Sequence, residues 1–222
     1  MSIKVLGFIG KKSSGKNTAF DLLKGRNIPL QEFSFAGKLK KVCSHVFNIP
    51  LEYFLNESLK EQELDIGVDI NQAILAELAL SYGIPFSEIK YKLGVEHTDK
   101  FVINKAPLKT PRQILQFVGT DVLRKYDPLI HIKALLDTLP ANEIIGVTDI
   151  RFPNEFTFLL NTYGKDFIPI YMERPTGSKD IHSSETSFET LKEYSLVIHN
   201  NGTIRQLEEE LVERILPFLK KE

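Results

Sequence analysis

Cysteine is almost missing from this chain. Cys43 is the only one in 222 residues, which excludes an internal disulfide and any cysteine-based zinc site. It falls in the helical run Leu39–Phe47, so the expectation is a buried structural thiol rather than a nucleophile. Charge excess is missing too. A net charge of −1 gives no sign of a broad nucleic-acid footprint or a polybasic membrane anchor. No apolar run approaches the ~18 residues of a membrane span, and the first residues lack a signal-peptide pattern. A reducing, cytoplasmic setting with no membrane or nucleic-acid partner is therefore expected. The five histidines, His45, His97, His131, His182 and His199, show no zinc-ligand spacing. No Gly-x-Ser-x-Gly elbow is present to support a hydrolytic serine. Arginine is also scarce. Lysine dominates the surface charge, which suggests that the seven arginines are kept where a bidentate fork matters. Arg112, Arg151 and Arg174 lie in segments rich in chemically useful residues.

What the chain does have begins at its start. The apolar run Lys4–Ile9 passes into Gly10-Lys11-Lys12-Ser13-Ser14-Gly15-Lys16-Asn17-Thr18 and then into a helical stretch. Gly10 to Lys16 fits the phosphate-binding pattern of Gly, four residues, Gly and Lys. Small residues let consecutive backbone N–H groups curl round phosphate oxygens, and the following helix N-terminus adds partial positive charge. Gly10, Lys11, Ser13, Ser14, Gly15, Lys16, Asn17 and Thr18 are accordingly the expected nucleotide-binding residues, with Lys16 on the β- and γ-phosphates. Asn17 stands where Ser or Thr usually helps to hold Mg²⁺, and a hydroxyl comes only at Thr18. Weak or indirect metal coordination by Asn17 or Thr18 is expected.

Strand candidates are Ile3–Ile9, Gln31–Phe35, Ile144–Thr148, Phe167–Met172 and Ser195–Ile198, separated by helical stretches. That alternation predicts an α/β fold with a five-stranded parallel sheet covered on both faces. A single domain spanning 1–222 is expected, with a helical insertion at about 37–142 and no repeat or low-complexity segment. Within the insertion, helices are expected at Leu39–Phe47, Ile70–Tyr82, Pro111–Tyr126 and Leu129–Leu139, with Pro85–Thr110 as loop. Pro153–Tyr163 reads as a helix closed by Gly164, and Ile204–Leu219 as an amphipathic helix with Ile204, Leu207, Leu211, Ile215 and Leu219 on its apolar side.

Three further constellations carry chemistry. Arg112, Gln116, Thr120 and Arg124 are spaced by four and form a polar stripe able to bind a phosphate and the edge of a base, or simply a solvated face. Ile144–Asp149 is an apolar strand ending in a carboxylate, the arrangement that puts an acid near Mg²⁺ in P-loop enzymes, and Arg151 follows it. The polar stretch at about 174–186 reads as a lid, in which Arg174 and Lys179 could close on phosphates and exclude water. Phosphoryl transfer needs charge neutralisation and alignment more than covalent help. A phosphate acceptor, already ionised, needs no strong base.

These residues together resemble the phage-type deoxynucleoside monophosphate kinases. The match runs through Gly10–Thr18, Phe35–Lys40, Thr110–Asp121, Asp127-Pro128, Asp149–Glu155 and His182–Glu185. The Thr-Pro-Arg-Gln and Asp-x-Arg-Phe-Pro-Asn-Glu runs are its most specific parts. The resemblance implies the P-loop kinase fold, ATP with Mg²⁺, and a deoxynucleoside monophosphate as acceptor. It implies Lys16, Arg112, Asp149 and Arg151 as catalytic residues, and Arg112, Gln116, Thr120 and Glu155 at the acceptor. Arg174 then belongs with the ATP-binding residues, Asp149 with Asn17 and Thr18 near the metal, and a homodimer is compatible with the family. Asn17 replaces the family's usual Asp, and Gly37 replaces an acid after Phe35-Ala36. The alternatives are a phosphomevalonate or dephospho-coenzyme A type of small-molecule kinase, and a nucleotide-binding switch module.

Overall fold

A computed structural model describes residues 3–26, 28–65, 67–97, 100–136, 144–175 and 187–220. In chain order they form β1 (Lys4–Ile9), α1 (Lys16–Lys24), β2 (Leu30–Phe33), α2 (Gly37–Val46), α3 (Glu52–Leu55), α4 (Gln72–Ser81) and α5 (Phe86–Leu93). After these come α6 (Pro111–Gln116), a π-helical segment (Phe117–Arg124), α7 (Ile130–Leu136), β3 (Ile144–Ile150), α8 (Pro153–Tyr163), β4 (Phe167–Glu173), β5 (Leu196–His199) and α9 (Ile204–Lys220). The chain divides into two compact units, one made of Met1–Phe35 with Leu135–Glu222, the other of Ala36–Ala134. No helix among the described residues is long and apolar enough to cross a membrane.

The first unit is built on the expected five-stranded parallel sheet, in the order β2-β3-β1-β4-β5. Strand alternation sorts its residues by face. Leu6, Phe8, Ile168, Ile170, Met172 and Ile198 join Ala19, Phe20 and Leu23 of α1 and Leu207, Leu211 and Ile215 of α9 in one apolar layer. The opposite face carries α8, where Phe156 meets Phe167 edge-on at 5.4 Å. Gly7 is required on that face: a Cβ there would lie 2.5 Å from Ile150 Cδ1 and 2.6 Å from Phe167. The α/β architecture is consistent with a P-loop kinase fold.

Strand order also locates the functional edge. The chain leaves β1 through α1 on one face, while it leaves the adjacent β3 through α8 on the other. Connections that part in opposite directions open a crevice at the carboxyl ends of the two strands, the place where open α/β sheets bind ligands. Ile9 pairs with Ile150 there, so Gly10 and Asp149 come from neighbouring strand ends.

The second unit is helical around its own core, in which Leu39, Cys43, Phe54, Ile70, Leu75, Leu78, Ile89, Ile114, Val118 and Val122 pack together. Cys43 is fully buried, as expected for a structural thiol, and burial pushes its pKa well up.

The structure corrects three sequence expectations. Phe86–Leu93, expected within a loop, is α5; Ile89 is fully buried in the core and Gly94 closes the helix at φ +75°. Tertiary burial outweighs the weak periodicity of this short segment. The single helix expected over Pro111–Tyr126 changes at Phe117 to π geometry. Ile204 is two-thirds exposed in the first turn of α9, so that helix's apolar face starts at Leu207.

Candidate functional site

The loop after β1 has the conformation its composition predicts. Gly10 and Gly15 have φ of +142° and +97°, values that favour glycine, and Ser13 also lies in the left-handed region at +61°. Space enforces the two glycines as well. A Cβ on Gly10 would lie 2.6 Å from the Met172 carbonyl, and one on Gly15 would lie 2.2 Å from Asn200 Nδ2. The loop turns on a bond from Ser14 N–H to the Lys11 carbonyl (3.1 Å), and α1 starts at Lys16. Lys16 folds back over the loop, its Nζ donating to the carbonyls of Gly10 (2.6 Å) and Lys11 (2.8 Å). An ammonium held on carbonyl oxygens at the mouth of a helix N-terminus is a position that phosphate oxygens can take over. Ser14 Oγ is buried with no hydrogen-bond partner among the described residues, a polar atom whose burial costs energy until something pairs with it. Asn17 and Thr18 are exposed on the first turn of α1, and Lys11 reaches Glu189 at 2.8 Å.

Asp149 lies inside β3, one residue further into regular strand than expected, because the ladder with β1 continues to Ile150. Its carboxylate is held by the chain leaving β2. Ser34 Oγ donates to Oδ2 at 2.6 Å, and the Phe35 N–H donates to Oδ1 at 2.8 Å. Next to it, Thr148 Oγ1 donates to Glu32 Oε1 at 2.9 Å, so the ends of β2 and β3 are tied by side chains as well as by the ladder. Among the described residues no cluster of three or more His, Cys, Asp or Glu forms a metal cage. One oriented carboxylate beside a glycine-rich loop is a donor set compatible with Mg²⁺, which keeps several waters and takes most of its other ligands from a substrate's phosphates.

Glu155 is buried, and its Oε2 accepts from the N–H groups of Arg151 (2.9 Å) and Phe152 (3.1 Å). It closes the first turn of α8 from within and fixes the backbone that carries Arg151. Arg151 is half-buried, and Arg174 is exposed just past β4. The rest of the expected lid, with Lys179 and His182, lies outside the described residues.

In the helical unit, Thr110 caps α6 by accepting from Gln113 N–H (3.2 Å), Pro111 occupies its first turn, and Gln113 Oε1 accepts from Lys109 N–H (2.7 Å). That start fixes Arg112, whose side chain is only 11% exposed. Its Nη2 donates to Glu57 at 2.7 Å and its Nε to Glu61. Lys60 is buried and joins Glu57 at 2.6 Å. Burial pushes the Glu57 carboxyl up, but the Lys60 hydrogen bond and charge, with Arg112 beside them, bring it down to about 2. The Arg112 fork thus faces two carboxylates, and carboxylate and phosphate are the anions whose geometry it matches. Gln116 lies one turn on, while Thr120 and Arg124 lie in the π segment, where i→i+5 bonding widens the turn. The four residues therefore do not continue one evenly spaced stripe.

Two residues at the site gave no sequence signal: Ser34, which holds Asp149, and Asn200, whose Nδ2 donates to the Ser14 carbonyl at 3.0 Å. Both act across more than a hundred residues of chain.

No family model matches the chain. It is similar over most of its length to a protein of Acanthamoeba polyphaga mimivirus named "Putative deoxynucleotide monophosphate kinase". The two are 27% identical over 223 residues, covering 94% of each chain.

Proposed function

We propose that this protein is a kinase that moves the γ-phosphoryl group of ATP onto a deoxynucleoside monophosphate, giving the diphosphate and ADP. The observation that carries the proposal is the loop at the end of β1, where Lys16 Nζ rests on the Gly10 and Lys11 carbonyls between two positive-φ glycines. Phosphate oxygens entering that loop meet an ammonium and the N-terminus of α1, and Lys16 neutralises charge that builds on the transferring group. Mg²⁺, if bound, would supply further charge neutralisation to the phosphates. Asp149, kept in orientation by Ser34 and Phe35, is the residue that would hold that ion or its water shell. Arg151 and Arg174 are cations at the ends of β3 and β4 and suit the phosphate chain.

The acceptor is assigned to the helical unit. Arg112 is preset for an anion, and Gln116 and Thr120 offer amide and hydroxyl groups to a nucleotide. The mimivirus protein's name and the Thr110–Asp121 resemblance support a deoxynucleotide over another small phosphorylated acceptor. Glu155 is assigned to the backbone under Arg151 rather than directly to the acceptor.

The test is a coupled assay of ADP release with each deoxynucleoside monophosphate in turn, with phosphomevalonate and dephospho-coenzyme A as controls and Lys16→Ala as the dead variant. At least one deoxynucleotide should raise ADP release well above the ATP-only rate. Removing Lys16 should lower that rate by about 10²–10³-fold, the usual cost of losing one preset charge-stabilising donor. Tight ATP binding with no acceptor dependence would point to a switch module instead.

A further inference from the structure

The loop that carries Lys16 is braced from behind by a residue at the far edge of the sheet. Asn200 follows β5, and its N–H extends the ladder by donating to the Glu173 carbonyl at 2.8 Å. That bond fixes its backbone, and the residue is buried, with 7% exposure. Its Nδ2 donates to the Ser14 carbonyl at 3.0 Å, across 186 residues of chain.

A trans peptide is planar, with its C=O and N–H pointing in opposite directions. No cis peptide occurs among the described residues. Holding the Ser14 carbonyl toward Asn200 therefore turns the Gly15 N–H the other way, away from β5. Gly15 has a φ of +97° and leaves no room for a Cβ beside Asn200, so the carboxamide fills the space that a side chain would take. Beside this peptide, Ser14 Oγ is buried without a partner among the described residues. A buried polar atom left unpaired next to an N–H turned away from Asn200 is an arrangement that oxygen atoms arriving with a ligand would satisfy.

We propose that Asn200 is a positioning residue for phosphate recognition: by clamping the Ser14 carbonyl it presents the Gly15 N–H, together with Ser14 Oγ, to the phosphate oxygens of the bound triphosphate. It touches no substrate. Its effect on the ligand passes through the orientation of one peptide. The inference rests on the donor half of the proposed function and is independent of which acceptor the enzyme takes.

The probe is inorganic tripolyphosphate, titrated calorimetrically into the wild-type protein, Asn200→Ala and Asn200→Asp. A net hydrogen-bond contribution of about 1 kcal/mol predicts roughly fivefold weaker binding for Asn200→Ala. Asn200→Asp keeps the volume but replaces the donor with a carboxylate facing a carbonyl, and should bind more weakly still. Both variants should retain the wild-type near-ultraviolet circular dichroism. Equal affinity in all three proteins overturns the inference. So does a loss found only in variants without native dichroism, since Asn200 would then support the fold alone. Failure of the wild-type protein to bind tripolyphosphate would remove both this inference and the donor half of the proposed function.

Discussion

Single residues at the sheet edge divide into those legible in sequence and those that are not. Gly10, Gly15 and Lys16 follow one another in a short pattern because the turn they make is local, and the positive φ values and close approaches at both glycines fit that turn. Asp149 was legible from an apolar run ending in an acid. Ser34 was not, because a hydroxyl in a polar turn has many uses and its partner lies 115 residues away. Its role makes a clear prediction. Ser34→Ala should remove the hydroxyl bond to Asp149 Oδ2 and raise the Mg²⁺ concentration needed for half-maximal activity by roughly tenfold, the scale seen for outer-shell partners of metal ligands. Ser34→Thr, which keeps the hydroxyl, should stay near wild type. Mn²⁺ affinity measured by electron paramagnetic resonance with ATP present should follow the same order. Equal Mn²⁺ binding in all three would remove Ser34 from the metal's surroundings.

Elements were read well where caps and periodicity agreed. α8 spans Pro153–Tyr163 with Gly164 beyond it, as its flanking residues announce, and the five strands differ from expectation by a few terminal residues. The reading fails where backbone hydrogen bonding changes without a compositional mark. Nothing in Phe117–Arg124 distinguishes a π segment from an α-helix, since the choice is made by packing of Val118, Val122 and Leu123 in the core. Nor did the sequence show that Arg112 would meet Glu57 and Glu61, carried by a separate short stretch after α3. That cluster has a pH signature. The Glu57 carboxyl titrates near 2 in the folded protein against an ordinary value of 4.5, so the stabilisation it carries is complete above about pH 4.5 and is lost as the pH falls toward 2. Thermal melts of wild type and Glu57→Gln should differ most above pH 4.5 and converge toward pH 2. The gap should be modest, because the Glu57 side chain is 56% exposed and its charge is screened by water. A gap independent of pH would mean that charge is not what Glu57 contributes.

At the scale of the whole molecule, the alternation of strands and helices gave the class of the fold, and a long interval without strands marked out the helical stretch. The interval expected at about 37–142 stands beside a compact unit of Ala36–Ala134. What no local pattern could supply is strand order: β1 takes its place between β3 and β4, partners more than a hundred residues away, through packing on both faces of the sheet. The helical unit has a core of its own, and the lone thiol of the chain lies within it. Cys43 can react with a thiol reagent only when that core opens, which makes it a built-in clock for one unit's opening. A ligand that binds the closed form slows such a clock by the factor 1 + [L]/Kd when opening and closing are fast relative to labelling. A deoxynucleoside monophosphate seated at Arg112, at a hundred times its Kd, should therefore slow Cys43 labelling about a hundredfold. An unchanged labelling rate would take the acceptor out of the helical unit. A single sulfur atom, silent in the proposed chemistry, becomes the means of locating the acceptor without any assay of turnover.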